Sequence, residues 1–189
     1  MSVAVSAAAS AKQTLHGHVP AASVGLQPVE HLSAAQHLNL AISLPLRNPD
    51  KLKSLVQDLY DPASPNYHQY LTPAQFTENF GPTESDYQAL VDFAKSHGLA
   101  VTVTHPNRLL LDVEGAITDV ENAFGVTMQV YQHPREARTF FAPSAEPSVD
   151  LGVSVLQISG LDNFSRKYSV PLWVRAQGAR MARKFFWRG

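Results

Sequence analysis

Two pairs of carboxylates are the candidates for an independent active site, because paired carboxylates can carry out acid–base chemistry. Asp119 and Glu121 lie two residues apart on a predicted helix, and side chains at that spacing do not share a helix face. Asp112 and Glu114 lie two residues apart on a predicted strand, which places both on one side of a sheet. The first pair therefore indicates a solvated helix surface. The second pair is compatible with surface charge or with a protein interface.

The chain also has 8 histidines, which are scattered along it. They are His16, His18, His31, His37, His68, His97, His105 and His133. His16 and His18 could pair on a metal ion, but two ligands in an N-terminal segment make a poor site. Because imidazole takes up a proton between about pH 5 and 8, the group as a whole favours a role in acid sensing. An incidental surface position is the alternative for each histidine.

Composition and charge limit the class of protein. With 189 residues and 44% hydrophobic composition, the chain can bury one sizeable core. It has 0 cysteines, which excludes disulfides and thiolate chemistry. Residues 1–162 contain 8 Lys+Arg and 16 Asp+Glu, and residues 163–189 contain 7 basic residues and no acidic ones. This acidic body argues against nucleic acid as the partner.

Hydrophobic periodicity and capping residues predict the elements that position these groups. Asn48 precedes a helix with Pro49 at its first position, Thr72 opens a short second helix with a capping box, and Thr83 caps a third that Gly98 ends. Alternation and turn residues predict four strands and a looser extended piece. These segments are 38–44, 99–104, 108–114, 127–131 and 139–142, with a short helix from 117 to 124.

This order of elements predicts an α+β fold. With the first two helices taken as an elaborated crossover, it is the split βαβ pattern of a ferredoxin-like sandwich. Four antiparallel strands would form one sheet, and the helices would cover one face. The uncovered face would carry mostly small or uncharged side chains, which suggests a surface for docking a protein partner. The residues predicted for this face are Asn39, Ala41, Ser43, Thr102, Thr104, Leu110, Gln129 and Tyr131.

The segment from Tyr60 to Thr83 is dense in prolines and aromatic residues. Pro-rich linkers seldom interleave so many aromatics, so the segment is predicted to be an ordered connection. Its pattern is dP-x-SP-x-Y-x-x-YLT-x-x-x-F-x-x-x-FGPT. The residues that carry it are Asp61, Pro62, Ser64, Pro65, Tyr67, Tyr70, Leu71, Thr72, Phe76, Phe80, Gly81, Pro82 and Thr83.

This pattern resembles the signature of the activation domain of the kumamolisin/sedolisin family of serine-carboxyl endopeptidases. Weaker similarities occur at Leu15–Pro20, Leu46–Asn48, His97–Leu99 and Val155–Leu161. The resemblance covers roughly residues 14–163 and implies a ferredoxin-like pro-domain. It also implies a secreted, acid-acting enzyme, whose pro-domain serves as folding template and tight inhibitor and is released in acid.

The resemblance assigns no catalytic residue to this chain. The family's Glu, Asp and Ser, and its calcium site, lie in a catalytic domain C-terminal to the pro-domain, and the chain has no Gly-Thr-Ser stretch. We therefore expect no cofactor and no metal site here. The implied partner is a sedolisin-type peptidase domain, in cis or in trans. A stand-alone inhibitor or chaperone, and a ferredoxin-like binding module without a protease partner, are the alternatives.

The two ends of the chain have a different composition. Residues 1–13 are interpreted as a leader or the remnant of a signal peptide, since Ala9–Ala11 fits a cleavage pattern. Residues 14–163 form the predicted activation domain. Residues 164–189 form a basic tail, interpreted as a linker or as the end of a truncated or out-of-frame precursor. Pro171 and Gly178 argue against a basic amphipathic helix at a membrane surface.

Overall fold

A computed structural model describes residues 12–165 as a chain of short strands and four α-helices. The interpretations of the leader up to residue 11 and of the tail from residue 166 lie outside the described residues. In chain order the strands are β1 (Gln13–Thr14), β2 (Glu30–His31), β3 (His37–Ser43), β4 (Ala100–Thr104), β5 (Leu110–Ala116), β6 (Met128–Gln132), β7 (Thr139–Pro143), β8 (Ser148–Val149) and β9 (Gln157–Ser159). The helices are α1 (Pro49–Tyr60), α2 (Pro73–Phe80), α3 (Glu84–Ser96) and α4 (Ile117–Phe124).

A four-stranded antiparallel sheet with the order β4-β5-β3-β9 forms the centre of the fold. Helices α3 and α4 pack on one face of it. Leu90 of α3 and Val120 of α4, both 0% exposed, belong to the same core cluster as Leu111 and Val113 of β5. The predicted α+β ferredoxin-like architecture is confirmed.

The fourth strand of this sheet is not the one that the sequence predicts. The sequence predicts residues 127–131 as the fourth strand, but β6 pairs with β2 and β7 in a separate three-stranded sheet. The edge position beside β3 is taken by β9, with Ile158 opposite Ile42. β6 still buries one face, with Met128 at 0% exposure in the same core cluster as Leu111 of β5 and Val120 of α4.

The first helix is less buried than its helical spacing suggests. In α1 only Leu59 is buried, and Val56 is 47% exposed. Asn48 occupies the N-cap position, but its side chain donates to the carbonyl oxygen of Asn79 (3.1 Å) instead of capping α1. The cap prediction for Asn48 is therefore wrong in its side-chain role, because its backbone is left-handed (φ 54°, ψ 51°) and not in the extended conformation from which a capping side chain accepts from the first turn.

The predicted caps of the other two helices are present. Thr72 and Gln75 form a reciprocal capping box at the start of α2. Thr83 caps α3, and Asp86 completes a second box. Each box satisfies two backbone N–H groups that the first turn leaves without a partner. The signature segment is therefore fixed at both of its helix starts.

The N-terminal segment is tied to the other end of the domain. Gln13 of β1 pairs with Val149 of β8, and its side chain bonds both the carbonyl oxygen and the N–H of Val155 (2.8 and 2.9 Å).

Between residues 12 and 165, none of the helices has the length and apolar character that a membrane span requires.

Candidate functional site

The candidate functional site is the face of the four-stranded sheet opposite α3 and α4, which we call the open face. Strand β3 alternates across it: Leu40 is 2% and Ile42 is 1% exposed on the helix side. Because successive side chains of a strand point to opposite faces, Asn39, Ala41 and Ser43 point to the open face. The sequence predicts this orientation for all three.

Strands β5 and β9 extend the open face on either side of β3. Side chains that lie directly opposite each other in an antiparallel pair share a face. The pairs with β5 on this face are Asn39 with Glu114, Ala41 with Asp112 and Ser43 with Leu110. Those with β9 are Ala41 with Ser159 and Ser43 with Gln157. The face therefore combines small or uncharged side chains with two carboxylates.

A β-bulge changes which residues β4 presents. Val101 pairs with Val113 on the helix side, but the next pair joins Val103 to Asp112, so Thr102 is an extra residue in β4. Val103 is consequently 48% exposed on the open face, where simple alternation predicts it to face the helices. That prediction is wrong because a bulge inserts one residue and shifts the alternation.

The same bulge moves Thr104 off the open face. Thr104 pairs with Leu111, whose side chain is fully buried on the helix side, so the pairing assigns Thr104 to that side as well. Thr102 remains at the open face, where it lines a shallow depression of about 360 Å³ together with Ala41, Asp112 and Ser159.

Two further residues predicted for this face lie elsewhere. Gln129 and Tyr131 belong to β6 in the three-stranded sheet. Tyr131 is 6% exposed and its ring lies 5.4 Å from that of Phe140. These two residues are not brought together with Ala41, because β9 and not β6 is the fourth strand of the central sheet.

Sequence reasoning missed the contribution of β9. Gln157 and Ser159 point to the open face while Ile158 is 2% exposed in the core. The alternation of polar and apolar residues from 156 to 159 was the available signal. Three residues are too few for that alternation to indicate a strand with any force.

Each carboxylate on the open face has a histidine beside it. The Nε2 of His105 lies 3.0 Å from the Oδ2 of Asp112, and the Nδ1 of His37 lies 3.3 Å from the Oε1 of Glu114. Asp112 and Glu114 therefore do not converge on a common partner within the domain. Among residues 12–165 there is no group of three or more metal-ligating side chains, and His16 and His18 form no such site.

The signature segment lies outside the open face and forms the connection from α1 through α2 to α3. Tyr67 and Tyr70 are 40% and 62% exposed and lie in the loop before α2, which starts at the capped Thr72. Phe76 and Phe80 lie in α2 with ring centroids 5.3 Å apart. The remaining signature residues shape the loop after α1 (Asp61, Pro62, Ser64, Pro65, Leu71) and the link into α3 (Gly81, Pro82, Thr83).

Arg47, which follows β3, holds the loop between α2 and α3 through hydrogen bonds. Its guanidinium donates to the carbonyl oxygens of Gly81 and Glu78. A Cβ at position 81 would lie 2.6 Å from the carbonyl oxygen of Thr77, so the link passes too close to α2 for a larger residue. Arg108 adds a bond to the carbonyl oxygen of Pro82 (2.8 Å). The close approach at position 81 explains the glycine of the signature.

Comparison with known proteins identifies the family to which this sequence is similar. The sequence model described as the pro-kumamolisin activation domain matches residues 25–164. The chain belongs to this family. It is 35% identical over 144 residues to xanthomonalisin from Xanthomonas sp. (strain T-22), and 31% identical over 141 residues to sedolisin from Pseudomonas sp. (strain 101).

These relatives are much longer than the region they share with this activation domain. Each match covers 75% of this chain, but only 17% of xanthomonalisin and 24% of sedolisin. The resemblance read from Asp61–Thr83 is thereby confirmed. The matched region is homologous to the N-terminal regions of the two peptidases, which supports a propeptide role.

Proposed function

We propose that this chain is the non-catalytic propeptide of a sedolisin-type serine endopeptidase precursor. In this role it acts as an intramolecular chaperone and inhibitor of the peptidase domain and is released at acidic pH. The family match over residues 25–164 carries the proposal. The family also supports an extracellular location, in keeping with the secreted enzymes that the signature implies.

The open face is the proposed docking surface for the peptidase domain. Among residues 12–165, α3 and α4 pack on the opposite face of this sheet. On the open face, Ala41 of β3 and Ser159 of the edge strand β9 have short side chains that let a partner approach the backbone closely. Asp112 and Glu114 provide negative charge that a basic patch or the N-terminus of a partner helix would complement.

Inhibition and refolding of a peptidase test the proposal. Purified chain would be added in trans to mature sedolisin and to mature xanthomonalisin, with casein as substrate. We expect saturable inhibition of at least one enzyme at the highest pH at which that enzyme still cleaves casein, and a higher yield when the denatured peptidase domain is refolded with the chain at neutral pH. A chain that affects neither activity nor refolding of either enzyme would support a binding module without a protease partner.

The non-catalytic part of the proposal needs its own assay. The isolated chain is expected to leave casein and a peptide library intact between about pH 3 and 7. Specific cleavage that survives further purification would overturn this part. Sequencing the gene beyond the codon for Gly189 in all frames separates a cis precursor from a stand-alone, trans-acting inhibitor.

A further inference from the structure

Two histidines are among the few polar residues buried in the described domain. His18 is 8% and His133 is 7% exposed. A buried imidazole is held by its hydrogen bonds, and these bonds fix which nitrogen carries the proton. In both rings one nitrogen accepts a bond from a backbone N–H group. A nitrogen in that position has no proton of its own.

The ring of His133 organises the turn between β6 and β7. Its Nδ1 accepts from the N–H groups of Arg135 (3.2 Å) and Glu136 (3.0 Å). The backbone N–H of His133 donates to the carbonyl oxygen of Arg138 (2.9 Å) across the same turn. Both ring bonds require a neutral imidazole with its proton on Nε2.

This turn holds the last part of the described chain. The ring of Phe164 stacks on that of His133 with a centroid distance of 4.8 Å. The guanidinium of Arg138 donates to the carbonyl oxygens of Asn163 (3.2 Å) and Phe164 (2.6 Å). Asn163 also exchanges bonds with Phe141 of β7, accepting at its side chain (2.7 Å) and donating from its backbone (3.2 Å). Residues 162–164 are therefore anchored on the turn that His133 shapes.

Protonation of His133 is incompatible with this arrangement. A proton on Nδ1 would face the two N–H donors of Arg135 and Glu136, so both bonds would be lost and donors would confront a donor. The charged groups nearby do not offset this loss. The carboxylate of Glu136 lies 3.7 Å from Nε2, is 46% exposed and also pairs with the Nε of Arg138 (2.6 Å). Arg135 and Arg138 add positive charge on the same turn.

We propose that His133 is a proton-operated latch: its neutral ring closes residues 162–164 onto the β6–β7 turn, and its protonated ring releases them. The latch is a property of this domain alone. Its consequence rests on the proposed propeptide function, because in a precursor the chain continues from this segment toward the peptidase. Acid would then loosen the exit of the propeptide without unfolding the core.

Nuclear magnetic resonance on the full chain, without any peptidase, tests the latch. The ring nitrogen shifts of His133 report its tautomer and its protonation. Amide exchange at Phe141 and Asn163, corrected for the intrinsic pH dependence, reports the anchoring of the segment. We expect protection at Phe141 and Asn163 to fall about tenfold or more as His133 takes up its proton. Protection at Leu40 and Leu111 in the central sheet should not change in that step.

Two variants isolate the ring's role. In His133→Asn the Oδ1 of the side chain can replace Nδ1 as the acceptor, and an amide does not take up a proton as an imidazole does. The amides of Phe141 and Asn163 should therefore stay protected from exchange in acid. His133→Phe keeps an aromatic ring against Phe164 but offers no hydrogen-bond acceptor. In this variant the amides of Phe141 and Asn163 should be unprotected at every pH. His31→Asn, at an exposed histidine that pairs with Glu121, is the matched control and should behave like the wild type.

Three results would overturn the latch. One is protection at Asn163 that survives protonation of His133 in the wild type. Another is loss of protection in His133→Asn at the same pH as in the wild type. The third is simultaneous loss at Leu40 and Leu111, which is acid unfolding of the whole domain. If His133→Asn does not fold, the wild-type titration decides alone. None of these results depends on whether the chain inhibits a peptidase.

Discussion

Ala41 of β3 lies directly opposite Asp112 of β5 on one side and Ser159 of β9 on the other. This places a methyl group on the open face between the central strand β5 and the edge strand β9. A longer side chain at position 41 would stand above the surface without entering the core, because the inward-pointing residues of β3 are Leu38, Leu40 and Ile42.

The first prediction uses this position. Ala41→Arg should weaken inhibition of the cognate peptidase by about 2 kcal/mol or more, because a bulky charge in the centre of an interface must be buried or displaced. The neighbouring Asp112 can pair with the new guanidinium, so the fold should remain intact. Thr102→Arg, at the bulge beside Ala41, should act in the same direction. Inhibition constants and thermal melts measure the two effects.

The control for both variants is Asn122→Arg. Asn122 is exposed on α4, which packs on the opposite face of the sheet. Asn122→Arg introduces the same side chain as the two test variants and should leave the inhibition constant unchanged. Unaltered inhibition constants for both Ala41→Arg and Thr102→Arg would place the docking surface elsewhere.

The second prediction concerns Gly160, which follows β9. Its φ is +100°, and a Cβ there would lie 2.5 Å from the carbonyl oxygen of Asn39. Gly160→Ala should therefore lower the free energy of unfolding by about 2 kcal/mol or more, from backbone strain and displacement of β9. Urea unfolding measures it. Gly152→Ala, where a Cβ meets no atom within 4 Å, should change stability by only about 0.5 kcal/mol. Equal effects would contradict the prediction.

The sequence could predict the elements whose signals are local. The alternation around Leu40 predicts β3, and the capping residues Thr72 and Thr83 predict the starts of α2 and α3. In each case the cause lies within a few residues of its effect. Alternation also predicts the orientation of Asn39, Ala41 and Ser43 in β3 and of Leu110 in β5, which all lie on the open face.

The remaining part of the site depends on contacts between distant residues. Ile158 pairs with Ile42 across more than a hundred positions of sequence, and nothing in the short run around it specifies that partner. The bulge at Thr102 depends on the match between β4 and β5, so alternation alone misplaces Val103 and Thr104. His133 is functionally interpretable only when the backbone N–H groups around its ring are known. Hydrophobic periodicity predicts neither the partner of a strand, nor the position of a bulge, nor the hydrogen bonds of a buried side chain.

The third prediction concerns Glu146, whose carboxylate accepts from the N–H groups of Gly17 (3.0 Å) and His18 (2.9 Å). Burial raises the pKa of Glu146, but these bonds and the nearby His18 outweigh it and hold the pKa below the ordinary value of a glutamate. A lowered pKa in the folded state contributes stability above the unfolded pKa of about 4.3, and this stability is lost as the pH falls through the folded value.

Glu146→Gln should therefore destabilise the domain at neutral pH, and its difference from the wild type should shrink below about pH 4. Urea unfolding between about pH 7 and 3 measures the difference. Glu30→Gln, at an exposed site on β2, is the matched control for the loss of one negative charge. A difference between wild type and Glu146→Gln that stays constant over this range would refute the role assigned to the carboxylate.

The fourth prediction is that the complex with the peptidase dissociates faster in acid, between about pH 6 and 4. At neutral pH the carboxylates of Asp112 and Glu114 carry negative charge that a cation across the interface can pair with. A ring nitrogen of His105 lies 3.0 Å from the carboxylate of Asp112, and one of His37 lies 3.3 Å from that of Glu114. A proton gained by either ring would let it pair with its carboxylate inside the domain. The free domain then binds more protons than the complex, and acid favours dissociation.

A double variant, His37→Gln with His105→Gln, distinguishes this effect from acid unfolding and from the latch at His133. Glutamine can hydrogen-bond the carboxylates but gains no charge, so the dissociation rate should rise less steeply with acid than in the wild type. His31→Gln, which alters an exposed histidine on β2 paired with Glu121, should keep the wild-type slope. Circular dichroism of the free domain over the same range identifies any melting. An unchanged slope in the double variant would leave the release to another group, and a rate that rises only where the free domain melts would assign it to unfolding.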